Sequence, residues 1–150
     1  MPIHVEIVSQ EKLVFEEAAA DMVLIPGSEG MMGVLPNHAP VLTTLGFGEL
    51  VVRKNNAEEI FAIYGGVVEI RPDKVIVLAD MAESAFALNV DAAAAARASA
   101  EKLLAEGVPP EQQRAATLAL RRANLEMQLS RKIKQRSQVL RIIQDDENEG

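Results

Sequence analysis

The residue types of this chain change abruptly near position 89, and that break constrains the fold more than any single motif. Seven of the nine glycines, five of the seven prolines and all four phenylalanines lie before it, with most of the valine and isoleucine. Residues 89–144 are instead rich in Ala, Leu, Arg, Glu and Gln. β-Branched and aromatic residues punctuated by turn formers read as strands, whereas long runs of Ala, Leu and the longer polar residues read as helices. The expected fold class is therefore α+β. A β-sandwich spans 1–88, a helical hairpin spans 89–144, and a short acidic tail over 145–150 is expected to be disordered.

Period-two patterning supports the first half of that division. Ile3, Val5 and Ile7 alternate with His4 and Glu6, and residues 12–16 repeat the pattern. Residues 22–25 form an apolar run closed by Pro26-Gly27. Residues 50–52 and 60–64 flank Asn55-Asn56, and residues 67–71 and 74–79 flank Pro72-Asp73, so two hairpins are expected. Many short strands joined by close turns imply two packed sheets.

In the second half Asp91 is a plausible N-cap, Gly107 is placed to end a first helix, and Pro110 suits the first position of a second. Nothing then breaks a helix until about residue 143, and roughly 34 residues at ~1.5 Å each predict a rod of about 50 Å. The short link between the helices predicts an antiparallel pair. The rod carries an apolar stripe of Ala115, Leu118, Leu125, Leu129, Ile133, Leu140 and Ile143, interrupted by Arg122 and Arg136. The first helix opposes it mainly with alanines. Such a contact buries little area, which marks the hairpin as a candidate moving part.

The chain has no cysteine, so disulfides, zinc–thiolate sites, iron–sulfur clusters and thiol catalysis are excluded. Two histidines are too few for a His-rich metal centre, and no metal site is expected. One Tyr and no Trp leave no stacking platform for single-stranded nucleic acid, and a net charge of −7 disfavours phosphate backbones as a partner. No apolar run approaches the roughly 20 residues of a spanning helix, and no basic-then-apolar leader is visible, which places the chain on the cytoplasmic side of any membrane.

The net charge hides a division: residues 1–88 carry −8 and residues 89–144 carry +5. Arg114, Arg121, Arg122, Arg131, Lys132, Lys134, Arg136 and Arg141 all fall on the expected long helix, where few acids are available to pair with them. A solvated face, an anionic membrane surface and nucleic acid compete with the favoured reading, an acidic protein partner.

Other motifs have plain structural readings. Gly27, Gly30 and Gly33 lack the Lys-Ser/Thr that a phosphate cradle requires, and serve as turn glycines. His38 has no Ser, Cys or second His near it in sequence, and fits a loop or partner surface better than catalysis; His4 lies on the polar side of a strand. Glu16-Glu17 and Glu58-Glu59 are adjacent pairs whose members face opposite sides of a strand, so neither makes a carboxylate dyad.

Gly27-Ser28-Glu29-Gly30 followed by Gly33-Val34-Leu35-Pro36-Asn37-His38-Ala39-Pro40 resembles the signature of the epsilon subunit of bacterial F-type ATP synthase. Residues 64–70, residues 75–80, Ala82-Glu83 and Val90-Asp91 resemble its later segments, so the likeness runs along essentially the whole chain. The resemblance implies an N-terminal sandwich of about ten strands and a C-terminal antiparallel helical hairpin. It implies a non-catalytic rotor subunit of the central stalk, with the sandwich bound to the gamma subunit and the c-ring. The hairpin would be a brake, folded during turnover and extended along gamma to block ATP hydrolysis, its basic helix then meeting acidic segments of the alpha and beta subunits. Membrane association would come only through the complex. Glu29, Met31 and His38 become candidate partner contacts by position, with Met31-Met32 expected at a loop tip.

Some members of that family bind ATP through a motif of the form Ile/Leu-Asp-x-x-Arg-Ala. The matching residues here are Val90-Asp91-Ala92-Ala93-Ala94-Ala95, and Ala94 stands where the arginine would be. Ala cannot supply a guanidinium fork. Asp91 and Arg97 are the only ATP candidates, and no cofactor is expected. Two further readings remain: a soluble ATP-sensing module whose hairpin closes on nucleotide, and a free-standing sandwich enzyme, for which no nucleophile, base or metal set is visible. Asp145, Asp146, Glu147 and Glu149 are expected to screen the basic helix.

Overall fold

The computed structural model describes residues 2–10, 12–135 and 140–143. The chain divides into two units, one of residues 1–84 with 138–150 and the other of residues 85–137. The expected tail, 145–150, lies outside the described residues, as does Arg136.

Among the described residues the first unit contains eight strands: β1 (Ile3–Ser9), β2 (Lys12–Ala20), β3 (Met22–Gly27), β4 (Gly30–Val34), β5 (Val41–Lys54), β6 (Ala57–Ile70), β7 (Lys74–Ala79) and β8 (Ala82–Ser84). They form one continuous sheet in the order β2-β1-β7-β6-β5-β3-β4, with β8 paired to β6. Among these eight strands the β1–β7 pair is the parallel one.

β5 and β6 are each 14 residues long and serve both layers of a sandwich. Their first contact zone pairs Val41–Leu45 with Gly66–Ile70, and their second pairs Phe47–Lys54 with Ala57–Tyr64. β7 joins the sheet beside residues 66–70 of β6, while β8 joins beside residues 61–63. Each layer therefore holds five strand segments, which is how eight strands meet the expectation of about ten. Two rings record the closure: Phe15 of β2 and Phe61 of β6, far apart in sheet order, meet with centroids 5.1 Å apart.

The crossing point is marked by glycine. Gly65 and Gly66 have φ of 86° and 128°, a region that L side chains rarely enter. A Cβ on Gly66 would sit 2.8 Å from Ala79 Cα. The inward set of β6 changes there from Ala57, Phe61 and Ile63 to Val68 and Ile70. These side chains join Ile3, Val5 and Ile7 of β1 and Val75 and Val77 of β7 in one apolar core.

The second unit contains a 3-10 turn (Ala85–Ala87), α1 (Val90–Glu106) and α2 (Pro110–Gln135). Gly107 terminates α1 in the left-handed region, with φ 70° and ψ 55°. The N-cap is Asn89 rather than Asp91: its side chain accepts from the N–H groups of Asp91 and Ala92. Asp91 lies one residue inside the helix, where its charge still suits the positive end of the dipole. The helices bury Ala93 and Ala100 of α1 and Ala116 and Ala123 of α2, an alanine seam at seven-residue spacing, with Leu129 following on α2.

The long helix is described to Gln135, and by Leu140 and Arg141 the chain is no longer helical, so one unbroken rod does not reach residue 143. Leu140 and Ile143 thus leave the expected stripe. Residues 140–143 belong instead to the sandwich unit, where Ile142 is 2% exposed within the core cluster. Leu140 and Arg141 are not helical, so the rod is broken before the helical pair Ile142-Ile143, whose Ile142 packs in the sandwich core. Among the described residues, no helix is long and apolar enough to cross a membrane.

Candidate functional site

The outer face of one sandwich layer carries apolar side chains where polar ones are the norm. Register aligns Leu13 of β2 with Val8 of β1, Val8 with Leu78 of β7, Leu78 with Val67 of β6, and Val67 with Thr44 of β5. These five residues form a row running across all five strand segments. Leu13 and Leu78 are about half exposed, at 51% and 52%, and Leu42, two residues before Thr44, is 73% exposed. Single exposed apolar residues are ordinary, but a contiguous row across a sheet marks an interaction surface.

Beside that row lies a charged one. Glu16, Glu6, Ile76, Glu69 and Leu42 are successive cross-strand neighbours. His4 Nε2 stands 2.8 Å from Glu16 and 3.6 Å from Glu6, Lys74 Nζ lies 3.3 Å from Glu6, and Arg71 pairs with Glu69 at 2.9 Å. Among the described residues, His4, Glu6 and Glu16 are the one group arranged so that it could take a metal ion. Lys74 already supplies a cation to that group.

The turn between β3 and β4 extends the apolar row. Ser28 N donates to Thr44 O at 3.0 Å, and the two hydroxyls are 2.6 Å apart. Glu29 is exposed at this turn. Met31 and Met32 do not lie at a loop tip: they are in β4, an edge strand, opposite Pro26 and Ile25. Strand alternation separates them, so Met31 faces solvent at 58% exposure while Met32 packs on the core. His38 is half-buried, and its Nδ1 donates to Ala39 O at 2.7 Å. Asn37, at φ 69°, donates its N–H to Pro72 O, which ties this loop to the β6–β7 turn. The His38 ring is thus held by the backbone of its own loop.

The basic residues of α2 do not form one uniform face. Arg114, Arg121, Arg131 and Lys134 are exposed, and Lys132 is half-buried. Arg122 is held by Glu126 four residues on, at 2.9 Å, so one expected free cation is consumed within the helix. Arg131 and Lys134 flank a cavity of about 250 Å³ whose apolar wall is made by Phe86, Leu88, Val90 and Ile133. Of the ATP candidates, Asp91 and Ala94 are exposed on α1. Arg97 is engaged by Glu101 at 3.0 Å and by Met127 Sδ at 3.9 Å.

The sequence reading missed Leu13, Leu42, Val67 and Leu78. Their signal was available: Val67 and Leu78 sit at positions of β6 and β7 that alternate with buried residues and should be polar. It is legible only once the flip at Gly65-Gly66 is known.

The described residues thus make a sandwich with an apolar row on one outer face and, as a second unit, a helix pair with exposed cations. The sequence comparisons place it. Residues 2–85 match the family described as ATP synthase, Delta/Epsilon chain, beta-sandwich domain. The ATP synthase epsilon chain of Herpetosiphon aurantiacus is 41% identical over 131 residues, covering 87% of this chain and 96% of that one. That of Dehalococcoides mccartyi is 39% identical over 138 residues, covering 91% and 98%. The chain belongs to the ATP synthase delta/epsilon chain family. Its fold is also similar to a chain of the Euglena gracilis mitochondrial ATP synthase OSCP/F1/c-ring structure, with a TM-score of 0.74 at 19% identity over 82% of this chain and 78% of that one. A chain of the Tetrahymena thermophila central stalk and c-ring structure gives 0.60 at 13% identity, over 87% and 97%.

Proposed function

We propose that this chain is an epsilon-type rotor subunit in the central stalk of a proton-translocating F-type ATP synthase, and that it performs no chemistry itself. The sandwich is the anchor. Its row from Leu13 to Thr44 is the surface that takes the gamma subunit, because a transverse apolar row on a sheet fits the apolar stripe of a long helix. Glu29 and Met31, at the end of that row, face the c-ring. The hairpin is the regulator: when extended, it presents Arg114, Arg121, Arg131, Lys132 and Lys134 to acidic segments of the alpha and beta subunits and slows ATP hydrolysis. The chain sits on the cytoplasmic face of the bacterial plasma membrane, held there through the complex, with no nucleic-acid partner.

The observation that carries this reading is the exposed row across five strand segments, in a chain whose relatives along nearly its full length are named epsilon chains. The alanine seam supports the regulatory half, since methyl contacts hold two helices together weakly. ATP hydrolysis by the purified catalytic complex, with and without the full-length chain, tests it. Lower hydrolysis with the chain is expected, and equal rates despite demonstrated binding would overturn the inhibitory role.

A further inference from the structure

Glu59 is a carboxylate on the core-facing side of β6, in line with Ala57, Phe61 and Ile63, and it is fully buried. Its hydrogen bonds come from one place. Oε1 accepts from Arg141 Nε at 3.2 Å and Nη2 at 2.6 Å, and Oε2 accepts from the Ile143 N–H at 3.3 Å. The backbone beside it is engaged by the same segment. Glu58 N donates to Leu140 O at 2.7 Å, and Glu58 and Arg141 form a parallel bridge. At these residues β6 has β5 on one side, while β8 covers the other edge only from Phe61 to Ile63. Ile142 fills the core next to them.

A carboxylate on the inward side of a strand is costly unless a cation and donors meet it. Here every one of those partners is supplied from eighty-two or more residues away, by residues 140–143. We propose that the open edge of β6 and Glu59 form a binding site for an Arg-Ile-Ile segment, occupied by the chain's own residues 141–143. It acts as a clasp that fastens the chain beyond α2 to the sandwich. The chain leaves the sandwich after residue 84 and re-enters it by 140, so the hairpin is tethered at both ends while the clasp is shut. Among the described residues, four hold the second tether, a segment short enough to detach without unfolding the sandwich. The fork of Arg141 on a single carboxylate gives the site its selectivity, which a lysine would not reproduce. The clasp stands on these contacts alone; its consequence, that opening it frees the hairpin to slow hydrolysis, rests on the proposed function.

Amide hydrogen exchange in the isolated full-length chain tests the clasp. The Ile143 amide should be protected in the wild type. Glu59→Gln should speed its exchange about tenfold or more, with Ile63 and Val77 amides unchanged. Should Glu59→Gln also loosen Ile63, Arg141→Gln decides, because it alters only the segment. Free-chain exchange at Ile143 in the wild type, or no acceleration in Arg141→Gln, would overturn the clasp. ATP hydrolysis by the catalytic complex then tests the link. Both variants should inhibit at least about threefold more strongly than the wild type, as a population shift requires. Protection lost with inhibition unchanged would overturn the link and leave the clasp standing. A wild-type chain that binds without inhibiting would overturn the proposed function instead.

Discussion

Val67 and Leu78 stand opposite each other across β6 and β7, and both side chains face solvent. The backbone turns inward on either side of them, with Val68 and Val77 also paired and both fully buried. One register thus supplies the core on one face and the exposed apolar row on the other. A slip of one residue would exchange the two sets.

That register depends on Gly66. Gly66→Ala would force a Cβ against Ala79 Cα, in a backbone region costing about 1–3 kcal/mol for a residue with a side chain. Thermal melting of the full chain should fall by several degrees, roughly 2–8 °C per kcal/mol for domains of this size range. The row would be disturbed with it. An unchanged melting temperature would contradict the role given to this glycine.

Asn89 caps α1 through two backbone N–H groups. Asn89→Ala should cost about 1 kcal/mol and speed amide exchange in the first turn of α1, with the sandwich amides unaffected. Asp91→Ala should do less, since Asp91 contributes only charge near the helix start. Equal effects would mean that the cap is misassigned.

Ala94 replaces the arginine that ATP-binding relatives are expected to carry, and Arg97 is already paired with Glu101. Titration calorimetry of the full chain with ATP should give no binding at micromolar concentrations. A micromolar Kd would revive the nucleotide-sensing reading.

Much of the fold is legible in the sequence because its signals are local. The alternation of Ile3, Val5 and Ile7, the turn at Asn55-Asn56 and the stop at Gly107 depend on nearby residues. What is not legible depends on distant ones. Asp91 and Asn89 are both good caps, and only the backbone geometry chooses between them. Leu140 and Arg141 continue the helical pattern but are not helical, because the chain there meets Glu58 and Glu59 and Ile142 enters a core some eighty residues back. Glu58-Glu59 reads as an ordinary adjacent pair until Arg141 is placed against it. The same contact changes how a truncation should be interpreted. Cutting the chain near residue 88 removes the hairpin, and it also removes Ile142 from the core and the cation from Glu59.

The central claim is that the outward row is the anchor, and Leu78→Glu tests it most directly. The side chain is half exposed, so the substitution should change stability by no more than about 0.5 kcal/mol. The measurement is equilibrium binding of the full-length variant to a gamma-containing catalytic complex, with melting temperature as the control. Burying an unpaired carboxylate in an apolar contact should weaken binding at least about a hundredfold while the melting temperature holds. Wild-type affinity in a folded Leu78→Glu chain would contradict the account and move the anchor to another face.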